Sequence, residues 1–465
     1  MANFFQRDVV LHITPNDGDG TAPNTGNKRV YKIPVLEGFS FSQTTNSSEV
    51  TLTEMESTAG VSRRGRRVFN DSLAPAEWSF STYVRPFLSN GSASGNHSAA
   101  VMHAVEEVLW NGLLARGAPN ELVTTVVDGT VTAGGTGYSS VPTVAFSGGG
   151  GSGAAATAVL TSQVVTSITM TNIGASYTSV PTIAFSGGGG SGAAATAVLG
   201  KADAITAQTT GTMTMNTVQS DVASLNTMTM EFQFASGFVY ILDNAVVNSA
   251  NISFDVDGIA TIEWSGFAST VKEKTTANGY ASANITAATI EEGQRTADTG
   301  NFIRNRLSTL TVDASATDGM EDSDYSLTLT GGNISIDNGV TFLTPDTLGS
   351  VNTPLAHVTG TRNVSGAFTC YLATGTRASR NFFDDFVSAD TLANVTNDVD
   401  LTFNIGGSTN TPRAVFNLTQ AHVEVPSHSI DEVLSLETSF HGVPSTLDAA
   451  DDMTINLVGP AVATS

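Results

Sequence analysis

Met228-Thr229-Met230-Glu231-Phe232-Gln233-Phe234 alternates apolar and polar residues, and Val399-Asp400-Leu401-Thr402-Phe403-Asn404-Ile405 repeats that alternation 171 residues later. A period of two puts Met228, Met230, Phe232 and Phe234 on one face of a strand, so each stretch reads as a half-buried β-strand. The match continues at the same offset, without a gap: Ala250-Asn251-Ile252-Ser253-Phe254 is answered by Ala421-His422-Val423-Glu424-Val425. After three extra residues Ile262-Glu263-Trp264-Ser265 parallels Leu436-Glu437-Thr438-Ser439, a difference that a hairpin loop absorbs. Upstream, Glu77-Trp78-Ser79-Phe80-Ser81-Thr82-Tyr83 is patterned like Ala367-Phe368-Thr369-Cys370-Tyr371-Leu372. Any two strands alternate, so one match would carry nothing. Several consecutive elements at a shared spacing point to two tandem copies of one β domain.

Each copy holds one helix candidate. In Asn96 to Trp110 and onward, Val101, Val105, Val108, Leu109 and Leu113 follow helical spacing, with Asn96 or Ser98 as cap, which predicts an amphipathic helix docked on a sheet. The second copy offers a shorter one over Arg380 to Val387, where Phe382, Phe383 and Phe386 share a face. Between the copies, Glu273 to Thr299 is polar and turn-rich and reads as a linker.

A second duplication is shorter and stricter. Tyr138-Ser139-Ser140-Val141-Pro142-Thr143-Val144-Ala145-Phe146-Ser147-Gly148 returns 39 residues later as Tyr177-Thr178-Ser179-Val180-Pro181-Thr182-Ile183-Ala184-Phe185-Ser186-Gly187. Each unit reads as short strands joined by a Gly-rich turn. Two units are few for a solenoid, so a small inserted β module is expected. The resulting division is 1–124 and 211–272 for the two parts of the first domain, 125–210 for the insert, 273–299 for the linker and 300–465 for the second domain. The fold class expected is mainly β: two tandem β-sandwich or barrel domains, each with a flanking helix, plus the inserted module.

Composition narrows the function. The 465 residues hold 20 Lys+Arg against 43 Asp+Glu, a net charge of −23, which argues against a protein that grips duplex DNA by neutralising phosphates. A single cysteine, Cys370, excludes an intrachain disulfide framework and a Cys-rich zinc site. The opening Met1 to Asp8 shows no basic region leading into an apolar one, and no apolar run reaches membrane-spanning length, so neither a leader nor a span is expected.

Motifs for chemistry fail on inspection. Gly200-Lys201 lacks the first glycine and the hydroxyl residue of a phosphate-binding loop, and Ser152 and Ser191 lack the second glycine of a nucleophile elbow. The seven histidines form no metal-binding spacing. Asp313, Asp318, Glu321, Asp322 and Asp324 are the densest acidic cluster but do not follow the EF-hand order, and they read as a solvated loop, as do Asp17 to Gly20 and Asp384-Asp385. No catalytic residue, metal or cofactor is therefore expected. Arg63-Arg64-Gly65-Arg66-Arg67 is the one basic run, and it follows a polar segment carrying Glu54 and Glu56. Without interleaved aromatics to stack bases, the run fits contacts with carboxylates of a neighbouring subunit better than nucleic acid. Trp78, Phe80, Trp264, Leu434 and Leu436 are expected in the core.

The stretches Lys32 to Gln43, Arg66 to Tyr83 and Ser429 to Gly442 give the chain its family likeness: it resembles the major tail tube proteins of tailed bacteriophages. The 39-residue repeats look like the surface decorations of phage structural proteins. The resemblance implies a non-enzymatic virion protein of the tail, assembled in the host cytoplasm. Its β domains join sideways into a ring, and rings stack into the conduit for genome ejection. Relatives with one domain form rings of six, so a duplicated chain implies a trimer forming a pseudo-hexameric ring. Partners implied are further copies of the chain, tape-measure, tail terminator and baseplate proteins, DNA in transit without specific binding and, in contractile tails, a sheath; no membrane is involved. Glu54, Glu56, Arg63, Arg64, Arg66 and Arg67 are the candidates for contacts between rings. The rival readings are a tail fibre, baseplate or decoration protein, and, from another class, a secreted β-rich carbohydrate-binding protein.

Overall fold

Alternating apolar residues become strands only when backbone groups find partners, and here nearly every strand finds them by antiparallel pairing. The structure, a computed structural model, describes residues 9–15, 30–50, 67–88, 102–114, 122–175, 177–203, 212–216, 225–234, 238–275, 290–291, 302–314, 325–344, 352–387, 399–407, 412–430, 433–446, 449 and 451–458.

The first set of elements comprises β1 (Val10–Pro15), β2 (Val30–Ile33), β3 (Ser40–Ser42), β4 (Thr45–Val50), β5 (Arg67–Leu73), β6 (Ala76–Tyr83), β7 (Pro86–Leu88), β8 (Met102–Ala104) and helix α1 (Glu107–Leu113). Then come β9 (Leu122–Thr136), β10 (Thr143–Ser147), β11 (Ser152–Thr161), β12 (Val164–Ala175), β13 (Thr182–Ser186), β14 (Ser191–Asp203) and β15 (Thr212–Asn216). The set closes with β16 (Met228–Gln233), β17 (Val239–Asp255), β18 (Thr261–Ala268), β19 (Thr270–Glu273) and β20 (Ile290–Glu291). The second set begins with β21 (Thr309–Ala314), β22 (Tyr325–Leu327), β23 (Leu329–Asp337), β24 (Thr341–Leu343), β25 (Ala356–Val358), β26 (Asn363–Tyr371) and helix α2 (Ser379–Phe386). It ends with β27 (Val399–Ile405), β28 (Arg413–Val423), β29 (Ser427–Ile430), β30 (Leu434–Gly442) and β31 (Thr454–Val458).

Each set builds two sheets around one long strand. In the first, the start of β17 lies in a side sheet ordered β2-β1-β16-β17-β19, while its end pairs with β18, which pairs with β6 and β6 with β3. In the second, β28 likewise lies in a side sheet β22-β21-β27-β28-β31 and also meets β30, which pairs with β26 and β26 with β23. β29 continues the line of β28 along β30. The sets fuse where β17 pairs with β23, from Ser249↔Asp337 to Asp255↔Gly331. The result is one continuous eight-stranded long sheet, β3-β6-β18-β17-β23-β26-β30-β29.

Registers refine the internal match. Tyr31 stands opposite Ile13 as Tyr325 stands opposite Val312, and a bulge falls after Met228 as another falls after Val399. The offset is 171 for Met228 and Val399, but their partners Ala245 and Ala421 are 176 apart, and Gly266 and Phe440 are 174 apart. The gapless match of the middle strand is thus corrected: the hairpin between β27 and β28 is five residues longer than its counterpart, and alternation tolerates such a slip unseen. Upstream, Phe80 sits opposite Trp264 as Phe368 sits opposite Thr438, so Phe80 corresponds to Phe368, two residues from the alignment expected.

One apolar face of the long sheet packs on the side sheets in a single core. Trp78, Phe80, Ile252, Trp264, Ile334, Phe368, Cys370, Leu436 and Phe440 meet Leu11, Ile13, Met230, Phe232, Val312, Leu401 and Phe416 there. Each such side chain contributes about 1.5–3 kcal/mol by leaving water. Leu434 is the exception among the expected core residues: it begins β30 on the open side and is 42% exposed.

Two further expectations, both about the first helix, are corrected. Met102–Ala104 pairs with Pro86–Leu88 and Val105 N donates to Arg85 O, so the chain stays extended until Glu106, and the helix starts at Glu107 instead of near Asn96. That helix is buried on all sides, with Trp110 set edge-on against Trp264 at 5.0 Å, and is no surface amphipath. Residues 96–101 lie outside the described residues. α2 matches its expected place, burying Phe382 and Phe386. Within the expected linker, Ile290–Glu291 pairs in parallel with β2.

The 39-residue units form a separate six-stranded sheet, β12-β11-β10-β13-β14-β9, with its own small core. They interlock: Ala193 N donates to Tyr138 Oη at 3.4 Å, and 39 residues earlier Ala154 N donates to Tyr177 Oη at 3.3 Å. Each unit's tyrosine, buried, thereby closes the other unit, which is how two copies manage a core that a solenoid would spread over more. Gly129 permits β9 to approach β12, because a Cβ there would stand 2.1 Å from Ile168.

Candidate functional site

The long sheet has a second face, and it is polar. Alternation leaves Ser40, Ser79, Ser265, Ser249, Asp337 and Asn363 in one cross-strand row. The next row runs Ser81, Glu263, Asn251, Ser335, Ser365 and His441. Short hydroxyl and amide links tie neighbouring strands together: Ser249 to Ser265 at 2.7 Å, Ser40 to Ser79 at 2.9 Å, and Asn333 Nδ2 donating to Asn251 Oδ1 at 3.3 Å. The charged groups on this face are carboxylates: Glu77, Asp255, Glu263, Asp337 and Glu437. Among the described residues it carries no lysine or arginine. A depression of about 360 Å³ opens on it beside β3, lined by Ser40, Ser42, Glu77, Ser79 and Ser265 with Trp78 beneath. Small neutral side chains with scattered negative charge make a surface that offers a polyanion no counterion-releasing contact.

The sheet also has two ends. β3 at one end is registered only with β6, and β29 at the other only with β30, among the described residues. Every residue of β29 is exposed, and Ile430 (82% exposed) stands out opposite the half-exposed Leu434. An exposed edge strand of this kind is a pairing surface unless something covers it.

Elsewhere the titratable groups serve the fold. Glu106, at the N-cap of α1, accepts from Arg85 N at 3.3 Å and is fully buried; desolvation raises its pKa to about 7 against the weaker pull of backbone donors, Trp110 and Arg85. Arg85 lies over the Phe302 ring at 4.5 Å. Burial pushes the Cys370 thiol up to about 11, which suits a core residue rather than a nucleophile. Burial also lowers the pKa of His357, whose Nε2 accepts from Leu225 N at 3.0 Å. Lys274 reaches both carboxylate oxygens of Glu231 (2.9 and 3.1 Å), and Arg362 pairs with Asp452 at 2.6 Å.

Among the sequence-derived site residues, Glu54, Glu56, Arg63, Arg64 and Arg66 lie outside the described residues, and Arg67 is described only as the first backbone position of β5. Of the acidic cluster, Asp313 lies in β21 and the rest falls outside the description. Asp384 pairs with exposed Arg380 and Asp385 accepts from Tyr325. No group of three or more potential metal ligands occurs among the described residues, and no helix there is long and apolar enough to cross a membrane. The polar face was present in the sequence as the off-beat residues of the same strands, but nothing in the alternation tells which face meets what.

No protein-family model matches the chain. The chain is similar to the tail tube protein pb6 of Escherichia phage T5, with 27% identity over 220 residues. That match covers 45% of this chain and 44% of the phage protein, less than half of either.

Proposed function

We propose that this protein is a structural subunit of a bacteriophage tail tube. Copies of the chain join into rings, rings stack, and the polar face of the long sheet lines the bore through which the genome passes. The observation that carries this reading is the long sheet itself: apolar on the packed face, serine-rich and acidic on the other and, among the described residues, open at both ends. A cylinder wall needs those properties, since its inner surface must release DNA and its edges must find partners. The similarity to a named tail tube protein supports it.

The matching registers of the two strand sets support an origin by tandem duplication, which makes three chains the natural ring, a pseudo-hexamer. The six-stranded module of 39-residue units is then a decoration on the tube's outer side. Glu54, Glu56 and the arginines at 63, 64, 66 and 67 are proposed to bridge stacked rings. Tape-measure, terminator and baseplate proteins are the expected partners, in a virion tail assembled in the host cytoplasm. The role is structural and assigns no residue a chemical step. Negative-stain imaging of the purified, concentrated protein tests the reading: hollow stacked rings are expected, and monodisperse solid particles would reject it.

A further inference from the structure

Thr341-Phe342-Leu343 and Ala356-His357-Val358 pair as β24 and β25, and their middle residues, Phe342 and His357, stand opposite each other on one face of the hairpin with their rings 6.0 Å apart. That face is turned inward: Phe342 is 8% exposed, whereas Leu343 and Val358 on the other face are 50% and 41% exposed. Phe342 and Val340 pack with Leu225, Val246 and Phe267 in a small cluster apart from the main core, and these last three belong to the first set of strands. The hairpin thus reaches back from the second half of the chain and clasps the first. Hydrogen bonds fasten it at three places. At the base Asn338 N donates to Asn248 O at 2.9 Å, Asn338 Nδ2 to Leu113 O at 2.8 Å and Val340 N to Asn248 Oδ1 at 2.7 Å. Toward the tip Leu73 N donates to Asn352 O at 2.8 Å and Asn352 N to Asp71 O at 3.4 Å. In the middle Leu225 N donates to His357 Nε2 at 3.0 Å, and the adjacent Asn226 Nδ2 donates to Asn111 O of α1 at 3.3 Å.

We propose that His357 is an acid-sensitive latch: its neutral imidazole holds the β24–β25 hairpin on the first half of the chain, and its protonation lets the hairpin lift. The latch stands on the hairpin's own contacts and is independent of the tube reading. Its chemistry follows from the direction of one bond. A backbone amide only donates, so the Nε2 that meets Leu225 N carries a lone pair and the ring proton sits on Nδ1. An imidazolium has N–H at both positions; it sets two donors head to head and leaves a charge beside an apolar cluster. The other acceptors named in the clasp are backbone carbonyls and the Asn248 amide, which do not titrate between about pH 5 and 8. Among the described residues, the elements packed on His357 bring no charge: β24 supplies Thr341, Phe342 and Leu343, β25 Ala356 and Val358, and the approach to β16 Leu225 and Asn226. The charged groups of the strands around them are Glu77, opposite Phe267 and open to water, Asp243, paired with Lys272, Asp337, which accepts from Gly339 N, and Asp71, which accepts from Ser48 Oγ. Burial acts in the same sense as the bond, lowering the pKa of His357 from its ordinary 6.5. The docked hairpin therefore binds fewer protons than the lifted one. Docking is at full strength above about pH 7, weakens as pH falls below 6.5 and levels off below the docked value.

Hydrogen exchange of the full chain, corrected for the intrinsic rate at each pH, reads the latch directly. The amides of Leu225, Leu73 and Val340 donate across the clasp and report its opening; those of β26 in the long sheet are the reference. From about pH 7.5 to about pH 5.5 the opening should rise several-fold and at most about tenfold, since each pH unit below the ordinary value adds no more than a factor of ten. β26 should show no such rise. H357Q keeps an acceptor for Leu225 N and does not ionise, so it should exchange like the native protein at pH 7.5 and show no acid-induced opening. H357F keeps a ring in the cluster and removes the acceptor; its hairpin should open more readily than the native one at pH 7.5 and to the same extent at pH 5.5. A native profile that stays flat through pH 6.5 overturns the proposal whatever the variants do, and so does an acid rise that H357Q retains.

Discussion

Glu106 begins the buried helix with a carboxylic acid where water does not reach, and its proton has a calculable effect. The folded protein holds that proton up to about pH 7, the unfolded chain only to its ordinary value near 4.5. Between those limits the folded state binds more protons, so stability is fully present below about 4.5, falls as pH rises and levels off above 7. The cost at pH 8 is at most about 3 kcal/mol. Glu106→Gln keeps an acceptor for Arg85 N and removes the ionisation; its urea midpoint should be higher than native at pH 8 and should not share the native decline between pH 5 and 8. Lys274 and Glu231 make the converse case, a charged pair with each side chain only 7% exposed. Lys274→Ala leaves a buried carboxylate without its cation and should cost about 3–5 kcal/mol, whereas replacing both residues by methionine should cost far less. Denaturant melts of the single and double variants distinguish the two; equal losses would mean that lost packing, not lost charge, dominates.

The 39-residue module is joined to the rest at two adjacent points, since Leu122 and Asp203 are paired at the root of β9 and β14. Its core is separate from the main one. Replacing 122–203 with a short Gly-Ser linker should therefore leave the remaining strands folded and the chain able to assemble. Circular dichroism and imaging check this, and loss of cooperative unfolding would mean that the module supports the core. The module's strands were legible because its period is strict and its glycines mark the turns. The strands at Met228 and Val399 were legible because one buried face forces alternation. The middle strand's five-residue slip was not, because a period of two looks the same at many registers. Helix α1 was misplaced for the opposite reason: its real start lies where the partner strand Pro86–Leu88 stops claiming backbone groups, a tertiary fact. Leu434 is apolar and alternates correctly, yet sits beside an open edge. Edges could not be read at all, since a strand's sequence does not say whether its second neighbour is in the same chain.

At the scale of the assembly, two surfaces carry opposite charge logic. The arginine run at 63, 64, 66 and 67 is proposed to meet carboxylates across rings, so changing all four to glutamate should block stacking while single rings still form. Rings without tubes in negative stain are the expected result, and normal tubes would remove the run from the contact. The proposed bore is governed by the other surface. A duplex passing through a cylinder lined by Ser, Asn, Glu and Asp meets no cation to displace its condensed counterions, so binding has no entropic gain and transit is not delayed. Glu77, Glu263 and Glu437 are exposed on the polar face, on three different strands, and each can become lysine without entering the core. Tubes of the E77K/E263K/E437K variant should retain a short labelled duplex that native tubes release, and retention should fall steeply between about 50 and 200 mM salt as counterions compete. Substitution by glutamine at the same positions removes the repulsion without adding cations, so it should retain little. If lysine tubes form with an open channel and still hold no DNA, the carboxylate face looks outward, and the wall of the cylinder is built the other way round.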